Sequence, residues 1–340
     1  MATVYDSQYH ETRAFVDVGS GNTKLAIATV DKRSNMIVKR IFDKKYPLAF
    51  QKALELSSKK EFNVEIQGKA EQVFNEIHTH CKTHQVQRTV AVATHAFRVA
   101  VNGKQVASNL KIRTKVPVRV IPQREEGAIG YSSVKKVQSV AKKIFGVLEI
   151  GTGSFQLSLS EKPLEENVFY GPYGAVPFNQ LVLSQSLKRG KSDHVYPMTK
   201  LQKDHAIQLA RNIAKKASPK VKDKIKTLNG KIHGLGGFFV KSLLPNCKDG
   251  KITKENLEAF INKSYAKTYD QLNNPFADTN LTNAILALGF MQELKINEIL
   301  PIDTDNTGFS HDSYWKENTW YENLAQWFSD LIAYLFNCVS

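Results

Sequence analysis

Two stretches of the chain repeat one order of apolar and polar positions. Residues 15–27 read FVDVGSGNTKLAI and residues 147–159 read VLEIGTGSFQLSL. Each is an apolar run holding a single acid, then Gly-[Ser/Thr]-Gly-[Asn/Ser], then a second apolar run. In the second copy Phe155, Leu157 and Leu159 alternate with Gln156, Ser158 and Ser160, the period of two that marks a strand with one buried face. Each glycine loop is therefore predicted to be the tip of a β-hairpin. Asp17 aligns with Glu149, Gly19 with Gly151, Ser20 with Thr152, Gly21 with Gly153, Asn22 with Ser154 and Leu25 with Leu157. Matched copies 132 residues apart predict a duplicated lobe.

Helical spacing occurs elsewhere. Val73, Ile77 and Cys81 form the apolar stripe of one predicted helix. Trp320, Leu324, Trp327, Phe328, Leu331 and Leu335 share the face of another, whose polar side carries Glu317, Glu322 and Asp330. A third glycine turn, Gly234-Leu235-Gly236-Gly237, lies between an apolar stretch and a predicted helix.

The flanks of the two loops decide their chemistry. A Walker loop needs GxxxxGK[ST], and the nearest string, QSLKRGKS at 185–192, has Gln185 in place of the first glycine. A dinucleotide fingerprint needs GxGxxG opening a helix, whereas 151–156 reads GTGSFQ and runs into a strand. A hairpin tip has another use. Glycines let backbone N–H groups face an anion, and Ser20, Asn22, Thr152 and Ser154 add hydrogen bonds. An acid on the preceding strand, Asp17 or Glu149, stands where it can hold a hydrated Mg²⁺ against a phosphate. For either copy alone, a Gly-Ser turn beside a solvated acid explains the pattern equally well. Two matched copies favour the phosphate site.

Charge narrows the partners. The chain has 340 residues, with 47 Lys+Arg against 32 Asp+Glu, a net charge of +15. Residues 301–340 hold Lys316 against Asp303, Asp305, Asp312, Glu317, Glu322 and Asp330, so this segment is at −5 and residues 1–300 are at +20. A body that basic attracts polyanions. The clusters Lys135-Lys136, Lys142-Lys143, Lys188-Arg189-Lys191, Lys215-Lys216 and Lys220 to Lys226 read as solvated helix faces or as a track for a phosphate chain. No aromatic-basic interleaving accompanies them, which disfavours nucleic acid as a partner.

Three cysteines, Cys81, Cys247 and Cys338, lack CxxC spacing and fit a reducing compartment. MATVYDSQYHET lacks the basic-then-apolar order of a signal peptide, and no apolar run approaches the roughly 20 residues of a membrane span. The expectation is a soluble, cytoplasmic protein. His80, Cys81 and His84 offer zinc ligands, but no second ligand pair stands at a usual spacing; a buried Cys81 with histidines at a helix end is the simpler reading. The acidic helix over 313–340 is a poor match to an anionic bilayer. It suits packing on the basic body or on a second subunit, as in a homodimer.

The paired hairpin loops and the later Gly-Gly turn resemble the actin, sugar-kinase and heat-shock-chaperone superfamily. VATHAFRVAVNG at 92–103, VRVIPQREEGAIGY at 118–131 and YGAVPF at 173–178 are similar, in order, to segments of the exopolyphosphatase and guanosine pentaphosphate phosphohydrolase (Ppx/GppA) family. The resemblance runs from about Phe15 to about Phe239. It implies an α/β fold of two duplicated actin-like (ribonuclease H-like) lobes with mixed sheets flanking a central cleft. The lobes would span 1–145 and 146–312, followed by the amphipathic helix at 313–340. The implied reaction is hydrolysis of a terminal phosphoanhydride of inorganic polyphosphate or guanosine pentaphosphate.

The family pattern places the general base at Glu126, which would remove a proton from attacking water. It places an arginine for the phosphoryl charge at Arg98, with Thr94 shaping the same loop. Glu125 then serves the helix N-terminus, where acids are favourable. Gly19, Ser20, Gly21, Asn22, Lys24, Gly151, Thr152, Gly153, Ser154, Gly236 and Gly237 would bind phosphate, and Asp17 and Glu149 would hold the expected Mg²⁺. The chain departs from the family's second loop, Asp-x-Gly-Gly-Gly-Ser-x-Glu, at Glu149, Thr152 and Gln156. Gln156 brings no charge to a metal, and Glu149 reaches one methylene further than aspartate. Phe238 replaces a favoured threonine, and Lys24 is more similar to the wider superfamily. Two alternatives stay open: an ATP-binding actin-like or kinase-like protein, and a relative that binds the anion without cleaving it.

Overall fold

The structure is a computed structural model that describes residues 8–34, 36–137, 145–162, 164–272 and 277–303. The amphipathic helix expected over 313–340 and the pair Lys142-Lys143 lie outside the described residues. Strands β1 (His10–Val18), β2 (Thr23–Asp31), β3 (Ile37–Tyr46), β4 (Arg88–Ala93) and β5 (Val118–Val120) form one sheet in the order β3-β2-β1-β4-β5. Strands β6 (Val147–Ile150), β7 (Phe155–Ser158), β8 (Val168–Gly171), β9 (Lys231–Leu235), β10 (Ile252–Thr253) and β11 (Glu298–Ile302) form the other, in the order β10-β11-β9-β6-β7-β8. Both sheets are mixed. β1 is antiparallel to β2 and parallel to β4, as β6 is antiparallel to β7 and parallel to β9. The order β8-β7-β6-β9-β11 thus repeats β3-β2-β1-β4-β5, the architecture of the duplication.

Helices α1 (Phe50–Leu56), α2 (Val64–Thr83), α3 (His95–Val99) and α4 (Gly103–Thr114) accompany the first sheet. α5 (Gln123–Val137) follows β5; α6 (Ala175–Leu181), α7 (Lys200–Lys215), α8 (Pro219–Thr227), α9 (Lys254–Ser264) and α10 (Ala277–Glu293) accompany the second. The first core gathers Phe50, Phe62 and Phe97, with ring centroids 4.8–5.2 Å apart. The second is built on α10, whose Leu281, Ala284, Ile285, Leu288 and Phe290 are fully buried. A helix apolar on all sides belongs inside a fold.

Two sequence expectations are refined. The alternation along β7 predicted one exposed face, yet Gln156 and Ser158 are as buried as Phe155 and Leu157. α5 lies across them: a Cβ on Gly127 would collide with Ser158 Oγ and approach Gln156 Cβ and Val168. Cover supplied by a helix some thirty residues earlier leaves no mark on strand periodicity. The lysines of α8 are also committed locally. Lys220 pairs with Glu166, Lys226 with Asp223, Lys224 reaches the Glu166 carbonyl, and Lys222 donates to the Lys215 carbonyl. On α2, Ile77 and Cys81 are buried and Val73 half-buried, while His80 pairs with Glu76 and stacks on Phe42.

Candidate active site

Both repeated loops are hairpin tips closed by the same bond. Gly19 N–H donates to the Asn22 carbonyl at 3.0 Å, and Gly151 N–H to the Ser154 carbonyl at 2.8 Å. The tips stand at the carboxyl ends of the central strands β1 and β6. Because β4 and β9 run parallel beside them, the turns that follow those strands emerge at the same edge. After β4 this turn is Thr94-His95, with Thr94 N–H and Oγ1 3.2 and 3.4 Å from the Val18 carbonyl. After β9 it is Gly236-Gly237, where Gly236 has φ of +91° and Gly237 precedes a π-helical segment, Phe238–Leu243. Ligand sites in α/β folds gather at such carboxyl edges because loops and helix N-termini converge there.

The two lobes meet through these tips. A Cβ on Gly21 would lie 3.0 Å from Thr152 Oγ1. A Cβ on Gly153 would collide with the His95 ring and lie 3.0 Å from Ser20 Oγ and 3.1 Å from Gln51 Oε1. Ser20 Oγ accepts from Ala96 N–H at 3.2 Å, and Ser154 Oγ accepts from Gln156 Nε2 at 3.1 Å. Each hydroxyl is thus held as an acceptor from the protein, which leaves its own proton to be donated. Gln156, where the family pattern has an acid, is bonded to the loop serine in the core.

The second tip rests on α6. Ala175 and Val176 N–H groups donate to the Gly151 and Thr152 carbonyls at 2.9 and 3.0 Å. Gly174 packs so closely that a Cβ would collide with the Gly151 carbonyl and lie 2.5 Å from Ser154 N. Backbone atoms on both sides give nothing to relax. Gly174→Ala is expected to lower stability by about 1–3 kcal/mol, read as a lower thermal midpoint, and to weaken anion binding at the second loop.

Three carboxyl groups face this region: Asp17 on β1, Glu149 on β6 and Glu126 in the first turn of α5. Asp17 and Glu149 occupy equivalent ladder positions, opposite Lys24 and Gln156. Gly130, one turn after Glu126, brings α5 onto Glu149: its Cβ would lie 3.2 Å from Glu149 Oε2. Burial pushes all three carboxyl groups upward. For Glu149, burial and the negative charges of Glu126 and Asp17 outweigh Lys24 and push the group up to about 8. Asp17 rises by burial against the pull of Lys24, and Glu126 by burial against the pull of Arg98. Carboxylates that repel one another at low dielectric take up a proton or a cation. Among the described residues no three His, Cys, Asp or Glu side chains converge as a full metal-ligand set. Asp17 and Glu149 offer carboxylate oxygens, the donor type that hard cations such as Mg²⁺ take.

Arg98 on α3 links the end of β5 to the first turn of α5. Its Nη1 donates to the Ile121 carbonyl at 3.0 Å, and its Nη2 lies 2.8 Å from Glu126 Oε2. That pair is close but misaligned, and both atoms are buried without a hydrogen-bond partner. Glu125 points elsewhere and pairs with Arg119 at 3.2 Å. The two glutamates thus take different arginine partners.

The sequence profile of the Ppx/GppA phosphatase family matches residues 26–304. The chain belongs to this family. No protein of the curated set matches it. Solved Ppx/GppA structures carry the same fold. The Aquifex aeolicus PPX-GPPA enzyme is 16% identical, with a TM-score of 0.65 over 86% of this chain and 96% of that one. An exopolyphosphatase from Cytophaga hutchinsonii is 15% identical, with a TM-score of 0.66 over 86% and 94%. The two-lobed actin-like architecture expected of a Ppx/GppA phosphatase is the one the chain adopts.

Sequence pattern gives no role to three residues that the structure brings to the loops. His95 and Gln51 stand at the seam between the tips, and Gln51 N–H donates to the Ser20 carbonyl at 2.8 Å. Gly174 lies within YGAVPF, a segment singled out by resemblance without a role. A polar network also ties together the helices behind the second and third turns. Thr282 Oγ1 on α10 bonds Asn179 Oδ1 on α6 at 2.9 Å. Ser242 Oγ, in the π-helical segment, bonds Asn280 Oδ1 at 2.9 Å and accepts from Asn283 Nδ2 at 3.0 Å. Their helical spacing reads as core; only the fold shows that they face one another.

Proposed function

We propose that the chain hydrolyses the terminal phosphoanhydride bond of inorganic polyphosphate or of a guanosine polyphosphate. The observation that carries this reading is the Arg98–Glu126 ion pair, whose facing atoms are buried 2.8 Å apart without an aligned hydrogen bond, beside two matched anion loops. A phosphoryl group entering there satisfies Arg98, frees Glu126 to bond a water, and receives N–H and hydroxyl donors from Gly19 to Asn22 and from Gly151 to Ser154. Gly236 and Gly237 complete the rim, and Lys24 contributes positive charge.

Phosphoryl transfer depends chiefly on positioning and on stabilising charge at the equatorial oxygens. Arg98 offers a fixed donor fork because Ile121 holds its other nitrogen. Glu126 accepts the proton of the attacking water, and burial raises its affinity for that proton. Asp17 and Glu149 would hold Mg²⁺, which supplies charge neutralisation between phosphate oxygens when bound. Membership of a phosphatase family and the fold shared with exopolyphosphatases support the reading. Among the described residues no helix is long and apolar enough to cross a membrane.

The reading is tested by orthophosphate release with Mg²⁺ from inorganic polyphosphate, guanosine pentaphosphate and ATP. Release from either of the first two, and slower release from ATP, is expected. Cleavage of ATP alone would overturn the substrate class.

A further inference from the structure

We infer that His95 is a further phosphate-binding residue, whose imidazole donates a ring N–H to a phosphoryl oxygen held between the two hairpin loops. This rests on the phosphohydrolase reading and adds to it a ligand group contributed by the seam between the lobes. His95 opens α3 at the carboxyl end of β4, and Arg98 follows one turn later on the same face. Only 6% of the residue is exposed. Its ring abuts Gly153 of the opposite lobe, at the point where Ser20 Oγ and Gln51 Oε1 also approach. The imidazole therefore lies between the first tip and the second.

Its surroundings satisfy its carbon atoms and not its nitrogens. Among the described residues neither ring nitrogen has a hydrogen-bond partner, and neither is among the buried polar atoms sealed from solvent. The ring is buried while its nitrogens stay open to solvent, so a solute can reach them. Gln51 Oε1, beside it, is likewise unpaired. Of the donors nearby, Arg98 Nη1 is already bound to Ile121, while Ser20 Oγ accepts from Ala96 and keeps its own proton to donate. The His95 ring nitrogens thus remain available to a group that is not protein.

Charge settles which species acts. Burial and the neighbouring Arg98 hold His95 down to about 4, so at neutral pH the ring is uncharged. A neutral imidazole has one N–H donor and one acceptor. It can bond a phosphoryl oxygen beside Arg98 without adding a second cation to a cleft that also holds Glu126.

The test compares wild type, His95→Phe, which keeps a ring but no donor, and His95→Gln, which restores a neutral donor. Inorganic pyrophosphate with Mg²⁺ is the probe, followed by calorimetry and by the ¹⁵N resonances of the His95 ring in wild type. The expected result is a displacement of those resonances at saturation. His95→Phe should bind roughly 10- to 100-fold more weakly with no loss of thermal midpoint, the range for a hydrogen bond to a charged group. His95→Gln should recover most of that affinity. Tight binding by wild type with unmoved His95 resonances, or equal affinity in His95→Phe, would overturn the inference and leave the phosphohydrolase reading intact. Failure of wild type to bind pyrophosphate, polyphosphate or guanosine pentaphosphate would overturn both.

Discussion

Glu126→Gln is expected to lower orthophosphate release by roughly 10²- to 10⁴-fold while leaving substrate affinity within a few-fold, the range for loss of a general base. The substitution keeps the size of the side chain and the approach to Arg98, so the fold should survive. Removing a buried carboxylate from beside Asp17 and Glu149 also relieves repulsion, and the thermal midpoint should hold or rise. The measurement is steady-state kinetics on the better of the two phosphate substrates, with melting as the control for folding. Unchanged turnover would remove Glu126 from the chemistry and leave it as a partner of Arg98. Arg98 itself is expected to matter in both binding and turnover, because its guanidinium meets the anion in ground and transition states alike.

The second large effect is on stability and its dependence on pH and Mg²⁺. Glu149 has an ordinary value near 4.5 when unfolded and is pushed up to about 8 in the fold. The folded state thus binds more protons than the unfolded chain between these limits. For a carboxyl group raised in this way, stability is fullest below the unfolded value and is lost as pH climbs through the folded one. Asp17 and Glu126 shift in the same direction, by burial. The metal-free protein should therefore melt lower at about pH 8 than at about pH 5.5. Mg²⁺ takes the place of the proton, so its stabilising effect should be large at the higher pH and small at the lower. Glu149→Gln should flatten the pH profile, raise the metal-free midpoint at the higher pH and abolish most of the Mg²⁺ response. A Mg²⁺ response that is the same in the variant would assign the cation elsewhere.

What the chain itself disclosed follows from how local each signal is. The hairpins were legible because alternation and glycine placement act within a dozen residues, and their duplication doubled the signal. Thr94 and Glu126 are fixed from further away, Thr94 by the Val18 carbonyl and Glu126 by Arg98. The full burial of Gln156 was hidden because α5 covers β7 from elsewhere in the sequence. The lysines of α8 read as a charged track, whereas Lys220 and Lys224 meet Glu166 across a separation of more than fifty residues. His95 lies within the 92–103 segment that carries the family resemblance, but nothing there gives it a role. Its place depends on Gly153, a residue of the other lobe, and no periodicity in either segment encodes that contact.

Water attacking phosphorus at the Arg98–Glu126 seam is the central claim, and isotope transfer reports it directly. Wild type, supplied with Mg²⁺ and either polyphosphate or guanosine pentaphosphate in ¹⁸O-labelled water, should release orthophosphate carrying one solvent oxygen per cleavage, and Glu126→Gln should remove most of that labelled product. Orthophosphate labelled equally fast by the variant, or none released by wild type from either substrate, would contradict the account.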